Sequence, residues 1–300
     1  MISHPVKDTS PNTNGLELRQ NYWDDRESRA AFKRFILAIH NLNFTAWEEA
    51  GYWDDRYRPF SWFKDGEVIS SVCIYLLDAV VQGRPCKMVQ ISGVGTHPDF
   101  RRRGLNRELA DIGLEWAKTQ RFRGLFLFAD EEAFPFYEHC GFSPLTEYKA
   151  VMEIEPLAHR KGLIPLDPAN PAHRYRIWTY ARYRHPVSDT FWAGTARLFM
   201  FHALYTLKNF LYEIPDLECL LAYRRKGDLL EIFDVVGKRI PDLKSLYPFI
   251  GCQTDRQVRF HFFPDLLKVD ARLETIPESD AFTRGDFPVQ PVVFPFTSKA

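Results

Sequence analysis

The sequence predicts an α/β (α+β) protein with a second, smaller α/β domain behind the first. Three observations carry this. Residues 61–75 read as strand, turn and strand, with the turn at Asp65-Gly66. Residues 87–96 form a strand that runs into an arginine-rich turn with one glycine, and a helix follows. Residues 220–234 repeat the strand–turn–strand pattern, and their Lys-Gly-Asp turn echoes Lys-Asp-Gly in the first half.

Taken in order, residues 1–14 read as a loose tail and residues 15–19 as a short first strand. Phe32, Phe35, Ile36 and Ile39 give residues 26–42 helical spacing. Residues 44–62 are aromatic and irregular, with Trp47, Tyr52, Trp53, Tyr57, Phe60 and Trp62 interleaved with Asp54, Asp55 and Arg56. Beyond the hairpin and the glycine turn, Leu109, Ile112, Leu114 and Trp116 mark a helix over 105–119. An apolar strand spans 124–129, and a short helix over 133–139 is closed by Gly141. Residues 156–172 hold four prolines and read as a linker. The stretch 190–207 reads as a buried or interfacial helix, because Arg197 and His202 argue against a membrane span. Pro241 opens a helix over 241–249, and 258–263 and 292–296 read as closing strands.

Composition narrows the class. The chain has 300 residues, 45% of them apolar, which is enough for a proper core. Lys plus Arg and Asp plus Glu both number 39, so the basic excess of a nucleic-acid binder is missing. The five cysteines (Cys73, Cys86, Cys140, Cys219, Cys252) are scattered without a CxxC pair, which argues against a disulfide framework and a zinc site and points to the cytoplasm. The first 14 residues have no apolar core of a signal peptide. Nucleic acid, membrane and metal are therefore not expected partners.

The segment from Val94 through Asn106, VGTHPDFRRRGLN, has the makings of a phosphate cradle. The first amides of a helix have no internal partner and attract anions. Gly104 lets a phosphate approach the backbone, and Arg101, Arg102 and Arg103 add charge and paired donors.

Strand, Arg101-Arg-Arg-Gly104-Leu-Asn106 turn, helix, apolar strand, then Ala133-Phe-Pro-Phe-Tyr137 and Gly141-Phe142 resembles the GNAT superfamily of acyl-CoA-dependent N-acyltransferases. His97-Pro-Asp-Phe100 resembles the usual lead-in. The aromatic stretch 53–60 and the proline-linked C-terminal half are similar to a two-domain branch. Asn106 departs from the pattern, which has Gly or Ala there, and is expected to be tolerated because backbone amides make the main contacts.

The resemblance implies a GNAT-type mixed, mostly antiparallel twisted sheet flanked by helices. It implies an acyltransferase domain over 1–155, a linker over 156–172, and a smaller domain over 173–300, a degenerate GNAT-like half that closes the pocket or builds a homodimer face. It implies acetyl-CoA as co-substrate and a small-molecule or peptide amine as acceptor, attacking directly in a ternary complex. Coenzyme A would contact Val94, Gly95 and Thr96 on the strand, then Arg101, Arg102, Arg103, Gly104, Leu105, Asn106 and Arg107, and Tyr137. The Val94 amide would polarise the thioester carbonyl, and the Tyr137 hydroxyl would protonate the departing thiolate. One arginine would meet the 3′-phosphate and another the diphosphate; at least one belongs to a solvated face.

The general base stays open among Asp130, Glu131, Glu132, Asp54, Asp55 and His97. Asp130 more simply caps a helix, Glu131 and Glu132 favour its dipole, and His97 is a spacer. Cys140 reads as a small buried residue. The acceptor would sit beneath segment 44–62, which is either an aromatic wall for a cationic amine or a lid packed by its own rings. A non-catalytic acyl-CoA-binding or partner-interaction module on the same fold is the alternative.

Overall fold

The computed structural model describes residues 15–158 and 162–300; the expected tail over 1–14 lies outside them. In chain order the first elements are β1 (Glu17–Gln20), α1 (Arg26–His40), α2 (Thr45–Glu49), β2 (Tyr57–Lys64), β3 (Glu67–Val81), β4 (Arg84–Thr96) and α3 (Leu105–Lys118). Next come β5 (Gly124–Phe128), α4 (Phe134–His139), β6 (Ser143–Pro144), β7 (Tyr148–Glu153), β8 (Ile164–Pro165), α5 (Pro171–Arg182), β9 (Phe191–Gly194) and α6 (Ala196–Leu204). The last are β10 (Leu211–Ile214), β11 (Cys219–Lys226), β12 (Leu229–Gly237), α7 (Leu243–Ile250), β13 (Gln257–Phe260), β14 (Arg272–Thr275) and β15 (Ala281–Thr283). The mixed, mostly antiparallel fold class is thereby borne out. Two compact units result: residues up to 45 with 53–75 and 91–121, and residues 46–52, 76–90 and 122–300, so that β3 and β4 run through both.

In the first unit, β1 pairs antiparallel with β2, β2 with β3, and β4 follows β3. The β2–β3 turn is the expected one. Asp65 (φ +50°) and Gly66 (φ +80°) both adopt positive φ, the type I′ geometry that matches the twist of two paired strands. Helix α1 begins because Asp25 accepts from the Glu27 and Ser28 amides at 3.0 and 3.3 Å. It buries Ala31, Phe32, Phe35 and Ile36, spaced to one face. Phe32, Phe44, Trp53 and Tyr57 form a ring cluster with centroids 5.4–6.3 Å apart. Helix α3 buries Leu105, Leu109, Gly113 and Leu114. A Cβ on Gly113 would stand 3.0 Å from Ile74 and 3.5 Å from Phe60, so glycine is what lets α3 lie close on β2 and β3.

In the second unit, β9 pairs with the far end of β3, and β15 lies between β5 and β6. A second sheet runs β14-β7-β13-β12-β11-β10-β8, with β12 and β13 parallel. The Gly227-Asp228 turn joins β11 to β12 as the sequence predicts. Leu221, Leu230, Ile232, Leu246, Val258 and Phe260 are central to its core.

Three sequence expectations are corrected. Residues 190–207 are not one helix: Thr195 accepts from the Leu198 amide at 3.0 Å, so α6 starts only at Ala196, and β9 precedes it. Pro241 does not open α7; Asp242 caps it through the Ser245 amide at 2.9 Å, and Pro248 sits inside. Residues 292–296 form no strand. Pro291 and Pro295 supply no amide donor, and Val292 makes only an isolated bridge to Glu147.

Polar contacts fasten residues 297–299 within this unit. Thr297 donates to the buried Asp234 at 2.6 Å, and Arg184 holds the same carboxylate in a two-pronged pair at 2.7 and 2.8 Å. His202 Nε2 lies 2.8 Å from the Lys299 carbonyl, which can only accept, so Nε2 carries the proton and Nδ1 accepts from Thr206. Burial holds the imidazole near a pKa of about 4, below its ordinary 6.5. The unfolded chain therefore takes up this proton first as pH falls. The stabilisation is complete above pH 6.5 and is lost as pH drops towards about 4. His202→Gln should remove about 2–3 kcal/mol of the wild-type loss between pH 7.5 and 4.5, read from urea denaturation at both values.

Candidate active site

The predicted cradle is assembled from the last residues of β4 (91–96), the arginine turn and the start of α3, all in the first unit. Gly93 adopts φ +54° within β4, and a Cβ there would meet the Tyr57 hydroxyl at 3.0 Å and the Cys73 sulfur at 3.2 Å. A Cβ on Gly95 would stand 2.7 Å from Ile39, so Gly95 is what allows α1 to seat on this strand. Val94 between them is half-buried. The Thr96 carbonyl accepts from Arg101 Nε at 3.2 Å, and its hydroxyl lies 2.9 Å from that of Ser70.

His97 has a structural use. It is the N-cap of a short 3₁₀ turn, Pro98–Phe100, and its Nδ1 accepts from the Asp99 amide at 3.4 Å. The arginines divide by conformation. Arg103 donates to the Asp99 carbonyl at 2.9 Å and lies over the Phe100 ring, so it and Arg101 brace the turn. Arg102, at φ +62°, is exposed and has no side-chain partner among the described residues. Arg107 is exposed on the first turn of α3.

Gly104 is the N-cap of α3, at φ +77° and ψ 4°, and no side chain caps the helix. Among the described residues, the other helices of eight residues or more are capped by Asp25, Asn170, Thr195 and Asp242. The first amides of α3 thus lack the side-chain acceptor the others have, and Leu105, 2% exposed, anchors the turn to the core. Asn106 turns its carboxamide to Ser70, whose Oγ lies 2.6 Å from Asn106 Oδ1. Nothing in the sequence marks Ser70 as a site residue.

Tyr137 belongs to the second unit. It is buried on α4, against Phe136, Phe142 and Phe282 at centroid distances of 5.2, 6.0 and 6.2 Å. Its hydroxyl has no partner among the described residues. Burial, with smaller contributions from Cys140 and Asp130, pushes its pKa well above 10, so it keeps its proton through neutral pH. Ala133 is the N-cap of α4 rather than a residue within it.

The candidate bases are divided between the units, Asp54, Asp55 and His97 in the first and Asp130, Glu131 and Glu132 in the second. Asp130 occupies an N-cap position but makes no capping bond, contrary to the expectation that it caps. Glu131 and Glu132 are exposed in the first turn after it. Asp54 accepts from the Arg56 amide at 3.2 Å. Cys140 is half-buried rather than buried. The rings of segment 44–62 are buried in packing, partly with one another and partly with rings from elsewhere in the chain. Phe44, Trp47, Tyr52, Trp53, Tyr57, Phe60 and Trp62 are all buried, Trp47 against Phe201 and Tyr52 against Trp178 in the second unit. A cavity of about 690 Å³ in the second unit, lined by Glu153, Glu155, Asp228, Arg256 and Gln257, contains none of the motif residues and no helix start.

Residues 17–142 match the model of the acetyltransferase (GNAT) family, and the match ends on the Gly141-Phe142 motif. The matched segment contains both the glycine turn at residues 101–106 and the motif at residues 133–142. No curated protein matches the chain. Among solved structures it is similar to a GCN5-related N-acetyltransferase from Kribbella flavida, at 18% identity over 91% of this chain and 71% of that one, with a TM-score of 0.52. It is similar to Eis1 from Mycobacterium abscessus, at 17% identity over 90% and 73%, TM-score 0.53. It is also similar to a conserved protein of unknown function from Enterococcus faecalis, at 14% identity over 89% and 72%, TM-score 0.53. At these identities the likeness is one of fold, and it extends across both halves of the chain. No helix among the described residues is long and apolar enough to cross a membrane, and no group of three or more His, Cys, Asp or Glu could hold a metal ion.

The left-handed conformation of Gly104 carries a stability consequence. Gly104→Val is expected to destabilise the protein by about 1–3 kcal/mol, because a β-branched residue is strained there. A urea titration of the unliganded protein reads this directly, and an unchanged midpoint would contradict the turn geometry.

Proposed function

We propose that the protein is an acyl-CoA-dependent N-acyltransferase that moves an acetyl group from acetyl-CoA to a primary amine by direct attack in a ternary complex. The observation that carries the reading is the uncapped start of α3. Gly104 leaves the amides of Leu105 and Asn106 without a capping side chain, close in sequence to an unengaged Arg102, within a segment matched by an acetyltransferase family. A diphosphate supplies the charge and the acceptors those groups lack.

Each unit carries groups suited to coenzyme A: in the first, open amides and Arg102 for the diphosphate; in the second, a protonated Tyr137 hydroxyl for a leaving thiolate. Bound acetyl-CoA supplies the activated acyl carbonyl. Arg101 and Arg103 hold the turn in shape, and the Val94 amide is assigned to the carbonyl oxygen. Tyr137 donates its proton as the carbon–sulfur bond breaks, and its raised pKa keeps that proton available well into alkaline solution. Burial raises the thiol pKa of Cys73 and Cys219, each to about 12, which disfavours either as a covalent nucleophile. Cys252, whose thiol pKa is lowered by its bond from Thr254, lies in the second unit outside both motifs.

In this reading the acyltransferase motifs belong to a domain of residues 1–155, joined through 156–172 to a smaller domain of residues 173–300, in a cytoplasmic protein. The acceptor is a small-molecule or peptide amine.

The test is release of free thiol from acetyl-CoA across a panel of amines. Turnover is expected with at least one amine, and Tyr137→Phe should lower kcat by about ten- to a thousandfold. Turnover in the wild type should show no alkaline limb from Tyr137 below pH 10. A Tyr137→Phe rate equal to wild type removes the hydroxyl from the mechanism. Coenzyme A binding without turnover of any amine favours a non-catalytic module.

A further inference from the structure

The Asn106 side chain stands where the family pattern has no polar group, and its surroundings are specific. Ser70 is fully buried on β3, and its hydroxyl lies 2.6 Å from Asn106 Oδ1 and 2.9 Å from Thr96 Oγ1. A separation of 2.6 Å suits an O–H···O bond and is short for an amide N–H donor, so the carboxamide presents its oxygen to Ser70. The Ser70 hydroxyl also lies 3.2 Å from the Gly95 carbonyl; its one proton goes to the shorter contact, Asn106, and Thr96 then donates to Ser70. The result is a one-way chain, Thr96 to Ser70 to Asn106, in which each bond polarises the next. The amide nitrogen of Asn106 lies on the opposite branch. It reaches solvent and has no partner among the described residues.

We infer that Asn106 is a ligand-contacting residue: its amide nitrogen, set by the Thr96–Ser70 chain, donates to the diphosphate held by the open amides of α3. This rests on the proposed acyl-CoA reading and adds a side-chain donor to it. Ser70 and Thr96 are positioning residues, since they act through Asn106.

Calorimetry with coenzyme A on the full chain tests it without turnover. Asn106→Asp keeps the oxygen that meets Ser70 and replaces the donor by an oxygen that repels phosphate. It should weaken binding by about a hundredfold; Asn106→Ala should weaken it about tenfold, as for loss of a hydrogen bond to a charged group. Ser70→Ala should fall between wild type and Asn106→Ala, because the donor remains but is no longer oriented. The same losses are expected with 3′-dephospho-coenzyme A, and their disappearance there would overturn the assignment to the diphosphate. Melting temperatures of the unliganded variants establish folding, and Asn106→Ala serves if Asn106→Asp does not fold. Wild-type affinity in both Asn106 variants overturns this inference alone. No binding of coenzyme A by the wild type takes down the proposed function as well.

Discussion

The unpaired amides at the start of α3 are the constraint around which the first unit is organised. A helix begins with backbone donors that its own turns cannot satisfy, and proteins ordinarily answer them with a capping side chain. Here Gly104 supplies none. Keeping such donors in place needs support from elsewhere. Leu105 sinks into the core, Arg101 and Arg103 bond the backbone of the approaching turn, and Gly113 lets the helix lie close on its sheet. The approach to the turn is shaped in the same way. Gly93 and Gly95 accept the crowding of Tyr57, Cys73 and Ile39 that any side chain would refuse.

Short-range features were legible in the sequence. The Asp65-Gly66 and Gly227-Asp228 turns, the apolar stripe of α1 and the glycine turn itself are each written in a few consecutive residues, and each formed where expected. Long-range pairing was not legible. Nothing local says that Ser70 meets a residue 36 positions later, or that β15 settles against β5. Composition misled where one residue type serves two ends. The rings of segment 44–62 suit a ligand wall as well as a core, and their partners (Phe32 and Tyr57 for Trp53, Phe201 for Trp47) decide for the core.

The arginine cluster shows why charge alone says little about role. Three adjacent guanidinium groups look equivalent in the sequence. The structure separates them: Arg102 takes a left-handed φ and makes none of the carbonyl bonds that Arg101 and Arg103 make. The same holds for Asp130, which has the residue type of a cap and the position of one, yet makes no such bond.

The insertion of β15 between β5 and β6 bears on synthesis and on dissection of the chain. Gly124–Phe128 is an almost wholly apolar strand whose neighbour on one side is supplied only by residues 281–283. While the ribosome is still making the intervening residues, that strand has an unprotected margin able to recruit another nascent polypeptide. A fragment ending near residue 155 would keep that margin permanently, so poor solubility of such a fragment would reflect the missing strand and not a failure of the acyltransferase motifs to fold.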